Sequence, residues 1–381
     1  MMNSPVCRML DIEFPLFAFS HCRDVVAAVS KAGGMGVLGA VGLTPERLEE
    51  ELAWIDAEVG GKPYGLDLIV PNKIAEEAKG DVTAADLRKA IPDAHLDFAR
   101  SKLAEYEIDS EDLYNFSASR RGGGRNMQEA GARESLEVAF RHPIRLIANA
   151  LGVPPSFMIE MAKERGVPIA ALVGAKEHAL RQVAAGVDIL VVAGGEAGGH
   201  CGDVSTLVLV PEVCRALEEM GSDVPVLAAG GIVTGEQMAG CMAMGAAGVW
   251  CGSVWLTTPE AETCPAVREK MLAATSRDTV RSKSRTGKYS RQLRSPWTDA
   301  WEAEGPEPLP MPLQSLVAEP ALARIDKLSQ GGHEGATALA TYWVGQGVGL
   351  MNESISTGQV VQQFKQDFIA ACERLAGSIG D

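Results

Sequence analysis

Residues 189–202, Ile-Leu-Val-Val-Ala-Gly-Gly-Glu-Ala-Gly-Gly-His-Cys-Gly, place one titratable imidazole, His200, in a loop that also holds Gly194, Gly195, Gly198, Gly199 and Gly202. The apolar run before the loop carries no charge, the pattern of a strand buried on both faces. Glycines remove Cβ atoms where something must approach the backbone closely. An imidazole just past the carboxyl end of a buried parallel strand is a candidate base or electrostatic partner, because α/β enzymes place their chemistry there. Glu196 on the same loop reads as orienting the loop or capping the helix that follows, with Ser205 and Thr206 as further caps.

Two later glycine sites, Ala228-Ala229-Gly230-Gly231 and Trp250-Cys251-Gly252-Ser253, fall at the ends of consecutive apolar runs. They suit a phosphate held by backbone N–H groups, or else they only make tight turns. His21 follows the first apolar run and either lines the pocket or sits in a loop; His95, His142, His178 and His333 read as surface residues. No His/Cys/carboxylate spacing suggests a metal, and no G-x-S-x-G elbow suggests a serine hydrolase. Arg277, Arg281, Lys283, Arg285, Lys288, Arg291 and Arg294 form a basic stretch. It fits a phosphorylated ligand such as a pyridine nucleotide or a coenzyme A ester, an acidic surface of its own fold, or a solvated loop. Arg120, Arg121 and Arg125 fit a phosphate or, again, a solvated loop.

The elements that must position these residues alternate. Strands are expected at 12–19, 35–40, 65–70, 144–150, 168–173, 189–193, 225–229 and 248–251. Helices are expected at 24–32, from Thr44-Pro45 onward, at 155–165, 176–185, 211–219 and 234–244. Thr44 and Pro45 have the order of a cap followed by a first helical residue, and Thr234 with Gln237 has capping-box spacing. About eight strands alternating with helices over 12–256 predict a (β/α)8 TIM barrel, with a doubly wound open sheet as the alternative. Residues from about 73 to 141 break the pattern and read as a helical insertion. Residues 1–258 are then the barrel, and 259–381 a helical and looped extension packing on it, with helices at 338–351 and 360–375.

The chain has 381 residues, 46% of them hydrophobic, enough for a sizeable core. Thirty-five Lys and Arg against 50 Asp and Glu give a formal charge of −15. That argues against a nucleic-acid or anionic-membrane binder. The eight cysteines include no C-x-x-C pair and read as reduced thiols. With no signal-peptide pattern and no apolar stretch long enough to span a bilayer, a cytoplasmic location is expected.

Three segments together resemble the nitronate monooxygenase (2-nitropropane dioxygenase-like) family: Val-Ser-Lys-Ala-Gly-Gly-Met-Gly-Val-Leu-Gly at 29–39, Gly-Glu-Ala-Gly-Gly-His-Cys-Gly at 195–202, and 228–231 with 248–253. The likeness extends to Val-Gly-Gln-Gly-Val-Gly-Leu at 344–350. The resemblance implies a barrel that binds FMN non-covalently. Ala18, Phe19 and Ser20 would pass along its ring, with Asp67, Gly195 and Gly199 nearby. Gly230, Gly231, Gly252 and Ser253 would hold its phosphate, and His200 would be catalytic. It also implies oxidation of alkyl nitronates by O2 to a carbonyl compound and nitrite, in a homodimer. The alternatives are an NAD(P)H-dependent FMN reductase of enoyl thioesters or quinones, whose relatives share these motifs, and a flavin-binding protein without turnover. The chain departs from the family pattern at Ala193 and Trp250, where Gln is usual, and at Asp67, where Asn is usual.

Overall fold

The structure, a computed structural model, describes residues 2–70, 84–114 and 129–379, with the side chains of 84–86 outside that description. Eight strands close into a parallel barrel: β1 (Leu16–Ser20), β2 (Met35–Gly39), β3 (Tyr64–Leu68), β4 (Leu146–Asn149), β5 (Ile169–Val173), β6 (Ile189–Ala193), β8 (Val226–Ala229) and β9 (Gly248–Cys251), with β9 pairing back onto β1. The closed barrel decides against the open sheet. Expected and observed strands agree to within a few residues, and β6 and β9 agree end to end. The largest difference is at the start of β1, where Pro15 lacks a ladder N–H and pairing begins only at Leu16.

Successive residues along each strand face opposite sides. Phe17, Met35, Val37, Leu146, Ile189, Val191, Leu227 and Trp250 fill the inside. Leu16, Ala18, Leu38, Leu66, Leu190 and Val192 meet the surrounding helices. The first helix, Pro5–Leu10, closes the amino end of the barrel. Its Val6, Cys7 and Leu10 join the inner core, and Ser4 Oγ donates to the Ala247 carbonyl just before β9. Where helix Arg23–Lys31 crosses β2, a Cβ on Gly36 would collide with the Val26 backbone, so glycine sets the approach. Thr44 Oγ1 accepts from Arg47 N at 3.3 Å, and Thr234 with Gln237 forms the capping box that the spacing predicts.

Four expectations need correction. The helix after β6 begins at Thr206 and carries Pro211 inside it. Pro211 cannot donate to the Leu207 carbonyl four residues back, and Leu207 is 68% exposed, so water is at hand for that carbonyl. The basic stretch is mostly a β-hairpin, β10 (Thr279–Ser282) and β11 (Ser290–Leu293), which adds antiparallel to a two-residue strand β7 (Gly199–His200). The expected helix at 338–351 resolves into Glu334–Leu339 and a short 3-10 turn, Gln346–Leu350. His95 and His142 are not surface residues: His95 is 8% exposed with Nε2 on the Glu307 carbonyl, and the His142 side chain is 7% exposed with Nδ1 2.7 Å from Asp56 Oδ2.

Of the expected insertion, three helices are described: Ala84–Lys89, Asp93–Glu105 and Glu129–Ala139. The last packs against Pro45–Glu58 and Ser156–Glu164, and so occupies the barrel's own helix position between β3 and β4. Arg120, Arg121 and Arg125 lie outside the described residues. The final helix, Thr357–Ile379, lies on Gly235–Ala243 and Arg23–Lys31 and stacks Phe364 on Trp255 at 6.4 Å.

Candidate active site at the carboxyl end of the barrel

The His200 loop is held from three directions. Gly194 donates to the Ala229 carbonyl at 3.1 Å, and Gly195 donates to the Val204 carbonyl at 2.7 Å. Glu196 Oε2 accepts from Thr206 N and Oγ1 at 2.8 and 2.9 Å, so the loop's own carboxylate caps the following helix. Arg291 on β11 donates from Nε and Nη2 to the Gly195 carbonyl at 3.0 and 2.8 Å. Two glycines have a steric reason. A Cβ on Gly194 would run into Thr206, and one on Gly198 would lie 2.8 Å from the backbone at Val344 and Gly345.

His200 pairs in register with Ser290 of β11, and its Nε2 lies 2.8 Å from Thr286 Oγ1 in the hairpin turn. Thr286 also directs its hydroxyl at the Lys288 carbonyl, 3.2 Å away. Having one hydrogen, it then accepts from Nε2–H, which leaves Nδ1 as the basic nitrogen. The ring keeps a face to solvent. Desolvation by the hairpin, then the positive charges of Lys288 and Arg285, lower its pKa below the ordinary histidine value. Such an imidazole is a better proton acceptor than donor near neutrality, and the positive field around it favours an anion.

The glycine turns after β8 and β9 lie on the same face. Gly230 and Gly231 adopt φ of +103° and +71°, which side chains rarely tolerate. Gly252 faces open space, with no atom within 4 Å of a Cβ built there. Ser253 opens a 3-10 turn, and its Oγ accepts from Gly345 N at 2.9 Å. A cleft of about 370 Å³ borders Gly230 and Gly231, between Thr206–Glu219 and Gly235–Ala243. It reaches Glu196 and Gln346 but not His200, Phe19, Asp67, Gly252 or Ser253, so it belongs to the turn after β8 alone.

On the adjoining rim, at the end of β1, Phe19 is half-buried and stacks on Trp250 at 6.4 Å and edge-on to His21 at 5.1 Å. His21 is exposed, with Nδ1 on the Gly39 carbonyl at 2.8 Å, so it belongs to the rim. Asp67 faces into the barrel near the end of β3 and is 2% exposed. Ala18 is fully buried against the helix layer, so only its backbone can meet a ligand. The strand ends thus bring His200, Phe19, Ser20, Asp67, Gly195, Gly199, Gly230, Gly231, Gly252 and Ser253 to one end of the barrel, with Ala18 set in its wall. Sequence reasoning missed Thr286 and the structural use of Arg291. The one available signal was Gly287 (φ +81°) between two short polar runs, a hairpin signal weakened by the charges around it.

Glycine turns suited to phosphate after the last two strands, and a histidine loop after the sixth, define a cofactor-dependent enzyme of the (β/α)8 class. The family model for nitronate monooxygenase matches residues 4–367, and the chain belongs to that family. It is therefore an oxidoreductase of a flavin-using family. It is similar to a candidate monooxygenase of Mycobacterium tuberculosis, at 51% identity over 99% of this chain and 100% of that one. A candidate nitronate monooxygenase of Bacillus subtilis is 26% identical over 91% of this chain and 92% of its own. Among solved structures, nitroalkane oxidase from Streptomyces ansochromogenes superposes with a TM-score of 0.77 at 22% identity, covering 97% of this chain and 99% of that one. FabK from Thermotoga maritima superposes at 0.71 and 25% identity, covering 99% and 100%. No helix among the described residues is long and apolar enough to cross a membrane.

Proposed function

We propose that the protein binds FMN at the carboxyl end of the barrel and oxidises alkyl nitronates with O2 to a carbonyl compound and nitrite. The observation that carries this reading is the positive field at His200: Lys288 and Arg285 both act on the ring, as an anionic nitronate requires. The residues fit the cofactor. Gly230 and Gly231 turn their backbone through positive φ, Gly252 leaves the space a phosphate needs, and Asp67 Oδ1 is buried without a partner among the described residues. Gly230, Gly231, Gly252 and Ser253 would hold the phosphate; Ala18, Phe19, Ser20, Asp67, Gly195 and Gly199 would border the ring. Bound FMN supplies the redox chemistry. The positive field around His200 holds the nitronate, and the ring's Nδ1 takes the proton when a neutral nitroalkane enters.

The test is anaerobic. Propyl nitronate is expected to bleach the 450-nm band of the loaded enzyme while NADH and NADPH leave it unchanged, and His200→Asn is expected to slow bleaching by about 10²-fold or more. Bleaching by a nucleotide alone would favour the reductase reading, for which the basic hairpin beside His200 is the supporting feature. Unchanged nitronate turnover in His200→Asn would remove the histidine from the chemistry.

A further inference from the structure

Asp67 is a buried carboxyl at the barrel mouth. In register it stands between Gly39 of β2 and Ala148 of β4, and its neighbours Leu66 and Leu68 face the helix layer, so its carboxyl points inward. It is 2% exposed, and no donor among the described residues reaches its Oδ1. The flanking positions offer no charge: Gly39 and Gly65 have no side chain, Ala148 has a methyl, and Phe19 covers Gly39. The titratable group on the adjoining rim is His21, and its Nδ1 is engaged by the Gly39 carbonyl. A buried carboxylate without cation or donor is costly, so burial alone pushes this carboxyl up to about 8.

We infer that Asp67 recognises the bound flavin as a neutral acid, donating its carboxyl hydrogen to an acceptor atom of the ring. The inference rests on the FMN reading above and goes beyond it by fixing the protonation state and the direction of the bond. A flavin ring offers carbonyl oxygens and unprotonated nitrogens as acceptors; a carboxylate offers no hydrogen to give. Against an acceptor atom the ionised form offers only lone pairs and binds poorly, whereas against the ring's one donor, N3–H, it would bind well at every pH; donation by the acid therefore makes cofactor affinity fall as pH rises. If only the acid form binds, the dissociation constant rises tenfold per pH unit above about 8 and is about thirtyfold weaker at about pH 9.5 than at neutrality.

The experiment is an FMN titration of the flavin-stripped full chain, followed by quenching of flavin fluorescence from about pH 6.5 to about 9.5. The proteins compared are the wild type, Asp67→Asn and Asp67→Leu. Asparagine keeps a donor of the same shape at every pH, whereas leucine has none. The wild-type affinity is expected to be level to about pH 8 and then to fall, the Asn variant to stay level, and the Leu variant to bind weakly throughout. A level wild-type profile, or an Asn variant that falls in step with the wild type, would overturn the inference and leave the flavin site standing. Failure of the wild type to bind FMN at any pH would instead remove the flavin site itself, and the inference with it.

Discussion

The unpartnered carboxyl of Asp67 also makes a prediction about folding that needs no ligand. Its ordinary value is 3.8 and its folded value is about 8. Between those limits the folded protein keeps a proton that the unfolded chain has released. Stability is therefore fully present below about pH 4, falls by about 1.4 kcal/mol per pH unit as pH rises, and levels off above about pH 8. At pH 7 the span of (7 − 3.8) units amounts to about 4 kcal/mol. Asp67→Asn carries no such proton, but it buries an amide whose lost hydrogen bonds cost about 1–3 kcal/mol. The variant is thus expected to be less stable than the wild type at about pH 4 and more stable, by about 1–3 kcal/mol, at pH 7. Urea unfolding of both flavin-stripped proteins across this range measures the difference, and titration of the other carboxylates cancels between the two curves. Parallel curves would show that Asp67 is already ionised in the fold, and the reasoning from burial would be refuted.

Two further substitutions probe the hairpin. Arg291→Met keeps the apolar stem but removes both hydrogen bonds to the Gly195 carbonyl; at about 1.5–3 kcal/mol for bonds from a charged donor, FMN affinity should fall about tenfold and Tm by a few degrees. Equal affinity and Tm would mean that the loop holds its shape without the strap. Thr286→Val removes the hydroxyl that fixes Nε2 of His200. At about 1 kcal/mol for a neutral bond, nitronate turnover should fall about fivefold, with FMN affinity unchanged. A loss of affinity in place of turnover would make Thr286 part of the cofactor site.

The barrel was legible because its strands are buried on both faces, which writes them as short uncharged runs between glycine and proline stops. Ile189–Ala193 and Lys176–Ala185 lie where the pattern puts them, and the glycines at 194–202, 230–231 and 252 mark the loops. The hairpin was not legible, because Arg281, Arg285, Lys288 and Arg291 make its sequence look solvated. They have partners inside the fold: Glu319 for Arg285 and the Gly195 carbonyl for Arg291, both remote in sequence, and the ring of Tyr289, in the same hairpin, beneath Arg281 at 4.2 Å. His95 and His142 failed for the same reason, since Glu307 and Asp56, which receive them, are far away in sequence. Local pattern reports the period of an element; it does not report which remote group will neutralise a polar residue.

The residues beyond the barrel bear directly on the candidate site. Arg291 and Ser290 shape the loop after β6, and Thr286 sets the His200 ring. Gly345 N holds Ser253 at the end of β9, Gln346 N donates to the Glu196 carbonyl at 2.9 Å, and the backbone at Val344 and Gly345 leaves room at Gly198 only for a glycine. Two strand ends and a catalytic candidate thus take their geometry from a segment that follows the last barrel strand in sequence. A barrel alone fixes where its strand ends point but leaves the loops above them free to move. The extension supplies the fixed partners that confine those loops, and this is why a glycine-rich loop, intrinsically the most flexible kind of backbone, can hold an imidazole in one orientation. Gly194 and Gly198 let the backbone at Thr206 and at Val344 and Gly345 approach closely; Arg291, Thr286 and Gln346 offset the freedom that the five glycines at 194–202 bring.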